Sequence, residues 1–244
     1  MRFLLLLFAV LFLSTNLNAQ TSGMQQYLKE TRTLIGEEKY AEALERCIWF
    51  HQHALEKEQS MSGVRLSFAL SDWKKLGEKY PPAKKAMIDM RDRTLQRLQT
   101  DANSQLFQDL VALNRTLGDS PKSIEVFETL AKNNPEKAKS YWFYIKDQLF
   151  ASKRYDLIKP FLKSASMEFE MIRHMYVLEK EMHNSKTMPD SFLKLSEKRF
   201  VDHSLELINY YLATNDLTSA KEIRTEALHL LADDRLANSI PASK

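Results

Sequence analysis

Residues 105–135 read QLFQDLVALNRTLGDSPKSIEVFETLAKNNP. Phe107, Leu110 and Val111 come before the break Leu117-Gly118-Asp119-Ser120, and Phe127 and Leu130 come after it. Spacings of three and four residues put such side chains on one face of a helix. Gly118 and the run Asn133-Asn134-Pro135 supply the residue types that end helices. The stretch therefore predicts two amphipathic helices joined by a tight turn.

The same pattern extends in both directions. Between Tyr40 and Ala54, apolar residues fall at Tyr40, Ala43, Leu44, Cys47, Ile48, Phe50 and Ala54, one wide helical face. Short breaks carry Gly36, Gly77 and Asn215-Asp216. The chain has five glycines and seven prolines, and no useful run of β-branched residues alternates with period two. The expected fold class is all-α.

Many short helices call for a search for internal repeats. Five junctions align: Ile35 to Tyr40, Leu76 to Tyr80, Leu117 to Ser120, Ala151 to Tyr155 and Thr214 to Leu217. The array resembles the tetratricopeptide repeat, a roughly 34-residue antiparallel helix pair. In the third repeat Phe107, Leu110, Val111, Phe127, Leu130 and Pro135 match the family's positions, and Ser123 stands in for its usual alanine. In the fourth, Trp142, Ile145 and Leu149 match the first helix, and Tyr155, Ile158, Leu162 and Ala165 the second. Lys153 replaces the turn glycine there, and Pro160 predicts a kink or a late start in the second helix. Looser matches run through Tyr27, Leu34 and Phe50, through Leu66, Leu70 and Trp73, and through Leu207, Tyr211 and Ala220. Residues 166–199 read as a further helix pair broken near Asn184 and Pro189. The resemblance implies a right-handed superhelical solenoid of about five or six antiparallel pairs over residues 20–236, followed by a flexible tail, 237–244. A closed helical bundle is the alternative for the same helices.

Met1-Arg2, the apolar run Phe3 to Leu13 and the small residue Ala19 have the layout of a secretory signal, with cleavage expected after Ala19. The run is shorter than the roughly 20 residues that cross a bilayer, and no second apolar run of that length follows. The expectation is a periplasmic or secreted protein with no transmembrane segment after cleavage. A formal net charge of +3 is close to balance and argues against nucleic acid as the partner. Cys47 is the only cysteine, so an intramolecular disulfide is excluded, and its place in an apolar pattern predicts burial.

The residues for catalysis are not assembled in any recognisable motif. There is no G-x-S-x-G elbow, no glycine cluster for a phosphate loop and no H-E-x-x-H helix. His51 and His53 point about 200° apart on a helix. Met167, Met171 and Met175 form an i, i+4, i+8 stripe; thioethers can take Cu(I), but core filling is the expected role. These readings lead to an expectation of no enzyme activity, no cofactor and no bound metal. A carboxylate-lined cavity for a carbohydrate or small molecule, or a hydrolase built on one, is the alternative.

In the resembled family the first helices line a groove that holds a peptide or partner helix. Carried over, the groove positions are Ser67, Ser71 and Lys74, then Gln108, Ala112 and Arg115, then Phe143, Asp147 and Phe150, then Leu205, Asn209 and Leu212. Lys74, Gln108, Arg115, Phe143, Asp147, Phe150 and Asn209 are the candidate partner-binding residues. The implied function is a scaffold or adaptor for protein partners in the cell envelope.

Overall fold

In a computed structural model of the chain, residues 23–101, 103–162 and 164–241 are described. The expected signal segment, 1–19, lies outside them. The described residues are helical with no strand, so the protein is all-α. They fall into two compact units, one ending at Ala86 and one beginning at Met87.

The N-terminal unit holds α1 (Gly23–Gly36), α2 (Tyr40–Lys57), a 3-10 turn (Gln59–Met61), α3 (Ser62–Leu66), α4 (Phe68–Lys79) and the start of α5 (Pro81–Thr100). α2 packs on α1 and α4. Ala43, Cys47, Phe50 and Ala54, at the predicted spacing, are its buried face. Trp73 is buried, and its indole N–H donates to the Ala83 carbonyl at 2.9 Å. Two expectations need correcting here. Gly77 is no turn glycine, because α4 continues past it to Lys79 and breaks only at Tyr80, ahead of Pro81. The repeat match through Leu66, Leu70 and Trp73 does not fall on one helix, because the chain is interrupted at Ser67, whose backbone leaves helical geometry (φ −124°, ψ −85°).

The C-terminal unit contains the rest of α5, then α6 (Ser104–Leu117), α7 (Ser120–Asn133), α8 (Pro135–Ala151) and α9 (Tyr155–Ile158). α10 (Ala165–Asn184), α11 (Asp190–Ala213), α12 (Leu217–Leu230) and α13 (Asp234–Ala237) follow. Helix starts are set by side-chain oxygens accepting free backbone N–H groups: Asn103 from Gln105, Asn134 from Lys137, Ser164 from Met167 and Asp216 from Ser219. α6 packs on α7 and α8, and α7 on α8. One apolar cluster joins this unit, with Phe107 stacked on Tyr141 at 4.8 Å and Phe127 against Phe161 at 5.4 Å. Ala237, where the flexible tail was expected to begin, ends α13, and Ile240 is buried in the same cluster.

Five of the junctions share one backbone device. Glu38, Gly118, Lys153, Lys186 and Asn215 all adopt positive φ, between 53° and 80°. At each, the N–H of the next residue reaches back to a carbonyl inside the helix, as Asp119 does to Asn114 (2.8 Å) and Arg154 to Leu149 (2.9 Å). Only one of the five is glycine. Gly36 itself ends α1, and the left-handed position falls two residues later, on Glu38.

Two further differences shape the second half of the chain. The second helix of the fourth repeat, expected from Tyr155 to Ala165, is a single turn. Pro160 has no N–H to donate to the carbonyl four residues back, so regular helix stops at Ile158 and resumes at Ala165. The pair expected over 166–199 and the first helix of the repeat matched at Leu207 and Tyr211 share one helix, because α11 runs unbroken for 24 residues. It packs on α10, α12 and α8.

Candidate functional site

The short α9 is followed by a groove of about 530 Å³ formed by α8, α10 and α11. Its floor is apolar. Tyr176 of α10 stacks on Phe200 of α11 with ring centroids 4.5 Å apart, and both are buried, as is Leu207. Phe150 comes in from α8, its ring edge-on to Tyr210 at 6.2 Å.

The lips of the groove are apolar too, and they are exposed. Phe143, on the α8 lip, is 68% exposed, with Lys146 Nζ 5.6 Å from its ring centroid. On α10, Met171 and Met175 line the groove and continue a stripe that includes Met167 and Leu178; the three methionines are 47–55% exposed. The stripe was expected to fill the core, and it does not. α10 carries a second apolar face, Phe169, Ile172 and Tyr176, more than a quarter turn away, and that face packs into the core. A helix with two apolar faces covers only one against its own core.

Charged groups cluster around this apolar surface. Glu179 accepts hydrogen bonds from Ser196 Oγ and from Arg199, so its carboxylate is held in place. His203 Nδ1 lies 3.0 Å from Glu206 Oε2, and that bond holds the imidazole above its usual pKa against the opposing effect of burial. Asp147 also favours the charged ring, and Lys146 opposes it. Among the described residues neither Asp147 nor Glu168 makes an ion pair, although both line the groove.

Of the residues singled out in the sequence, Phe143, Asp147 and Phe150 come together here. Lys74 is exposed on α4 in the N-terminal unit, and Gln108 and Arg115 lie on α6, half-buried and exposed respectively; none lines the groove. Ala112, expected to face a groove, is buried. Asn209 is exposed on α11, outside the lining. The residues missed by sequence reading are those of α10 and α11, chiefly Met171, Met175, His203 and Glu206. The signal was present in α10, whose two apolar stripes exceed what one buried face requires.

Cys47 and His51 are packed away. Burial pushes the Cys47 thiol up to about 12, so it is neither a thiolate nor a nucleophile near neutrality. His51 is buried against Trp73, ring centroids 6.2 Å apart. Among the described residues no group of three His, Cys, Asp or Glu side chains could hold a metal ion, and no helix is long and apolar enough to cross a membrane.

No family model matches the chain, nor does any curated protein or solved structure.

Proposed function

We propose that the protein is an exported, non-enzymatic scaffold of tetratricopeptide-like helix pairs, and that it binds a protein partner through the groove of α8, α10 and α11. The observation that carries this reading is the exposed apolar surface on both lips, Phe143 on one side and Met171 and Met175 on the other, above a buried aromatic floor. Contiguous exposed apolar surface rimmed by charge is the usual mark of a protein-binding site. The repeat reading draws support from the left-handed turns at Gly118, Lys153 and Lys186, and from α6 packing on both α7 and α8.

The test is a crosslinking pulldown from the native cell, run with the wild-type chain and the double variant Met171→Asp/Met175→Asp. A partner captured by the first and lost by the second supports the groove. A partner lost only with Gln108→Ala or Arg115→Glu would move the site to α6.

A carbohydrate or small-molecule ligand is the second reading. It draws on a cavity volume within the range of about 300–1,000 Å³ usual for such sites, and on the carboxylate of Glu179 fixed inside it. Thermal stabilisation by an oligosaccharide, abolished by Glu179→Gln and indifferent to the methionine variant, would select it.

A further inference from the structure

We infer that the occupant of the groove is an amphipathic α-helix of the partner, carrying basic residues beside its apolar face. This rests on the partner-binding reading above and adds the chemistry of what is bound.

The first observation concerns backbone satisfaction. An extended peptide brings unpaired N–H and C=O groups, which need a strand edge or a row of side-chain amides. Among the described residues there is no strand, and no Asn or Gln lines the groove. A helix arrives with its backbone hydrogen bonds already made and needs only an apolar surface to lie on. The methionine stripe offers one. From Met167 to Leu178 it runs about 16 Å along α10, three helical turns, which matches two or three anchors at i, i+4 and i+7 on a partner. Thioether side chains are unbranched and adapt to the shape of what packs on them.

The second observation concerns charge. Four carboxylates line the groove, Asp147, Glu168, Glu179 and Glu206, against two permanent cations, Lys146 and Arg199. Glu179 is paired with Arg199 and Glu206 with His203, which among the described residues leaves Asp147 and Glu168 without ion pairs on opposite lips. The groove is thus anionic in a chain whose formal net charge is +3. Basic residues flanking the partner's apolar face would complete those two carboxylates, and an acidic helix would be repelled.

The test uses the mature chain and three fluorescein-labelled peptides of roughly 18 residues, five helical turns. One has leucines at helical spacing with lysines between, the second replaces each lysine with glutamate, and the third has the first peptide's composition in strict alternation. Fluorescence anisotropy should show the lysine helix binding about tenfold or more tighter than either of the others. Met171→Asp/Met175→Asp should weaken it by about tenfold, and Asp147→Asn/Glu168→Gln should weaken it and flatten its salt dependence. Unchanged helicity and melting of each variant by circular dichroism exclude misfolding. Equal binding of the glutamate or alternating peptide, or lysine-helix binding that survives the methionine variant, overturns the inference. If the native partner is lost with the methionine variant while the lysine helix does not bind, the inference falls and the partner-binding reading stands. If capture of the partner ignores that variant, the reading falls as well.

Discussion

Asn114 and Ser123 face each other across the turn between α6 and α7, both buried, with the Asn114 amide donating to Ser123 Oγ at 3.0 Å. Asp119 sits in that turn and accepts from the buried Arg91 guanidinium at 3.0 Å, so a polar lock closes the hairpin that the sequence matched best. Ser123→Ala would leave the Asn114 amide dry and unpaired. The expected cost is about 1–3 kcal/mol in urea unfolding. A double-mutant cycle with Asn114→Ala should give a clear coupling energy, and additive losses would show that the pair is not coupled.

His51 imposes acid sensitivity on the N-terminal unit. Burial, with Arg65 adding to it, lowers its pKa to about 3 from the ordinary 6.5. The unfolded chain therefore binds a proton below pH 6.5 that the folded chain refuses until about pH 3. Stability attributable to His51 is fully present above 6.5 and declines as pH falls, by about 1.4 kcal/mol per unit across that window. His51→Leu should remove this component between pH 6.5 and 5, where most carboxylates stay ionised. Parallel stability profiles for the two proteins would contradict the assignment.

His203 behaves in the opposite sense. Its folded pKa is raised, first by the hydrogen bond to Glu206 and further by Asp147. The stability it contributes is present below pH 6.5 and is lost as pH rises through the folded value. A proton NMR titration should place the His203 midpoint above 6.5, and Glu206→Gln should lower it. A midpoint that ignores the Glu206 substitution would mean the ion pair does not form in solution.

Two glycines should respond with opposite signs to alanine. A Cβ on Gly77 would meet the Lys84 backbone nitrogen at 3.1 Å and its Cα at 3.2 Å. Because the obstacle is main chain, the expected loss is about 1–3 kcal/mol, larger than the helix-propensity gain of about 1 kcal/mol. Gly63, in α3, has nothing within 4 Å of such a Cβ. Gly63→Ala should stabilise by up to about 1 kcal/mol. A rise in melting temperature for Gly77→Ala would refute the packing of α4 on the start of α5, and a fall for Gly63→Ala would contradict the open space beside α3.

The helices were legible because apolar spacing and turn residues are local signals; Phe107, Leu110 and Val111 lie where a 3.6-residue period puts them. Pro160 announced a broken helix, but how much helix survives around it depends on tertiary packing, and one turn does. Nothing local marks α11 as continuous, because a helix shared by two neighbours shows the same buried residues as two shorter ones. For the site, Phe143, Asp147 and Phe150 were readable from their place on α8. The side formed by α10 was missed because methionines at helical spacing look the same whether they face a core or open space. Which of two apolar stripes is buried depends on where the next helix lies.

The open methionine face has a chemical consequence of its own. Peroxide delivers an oxygen atom to an accessible thioether, and the resulting sulfoxide is polar and chiral. Met167, Met171 and Met175 are within reach of such an oxidant, whereas Met61, Met87 and Met90 are shielded by burial. Oxidative damage would therefore fall first on the lip of the groove, adding polar oxygen to its apolar rim while the core and the turns stay intact. On the partner-binding reading proposed above, the protein would stay folded while its hold on an apolar partner weakened, and methionine sulfoxide reductases would reverse the change.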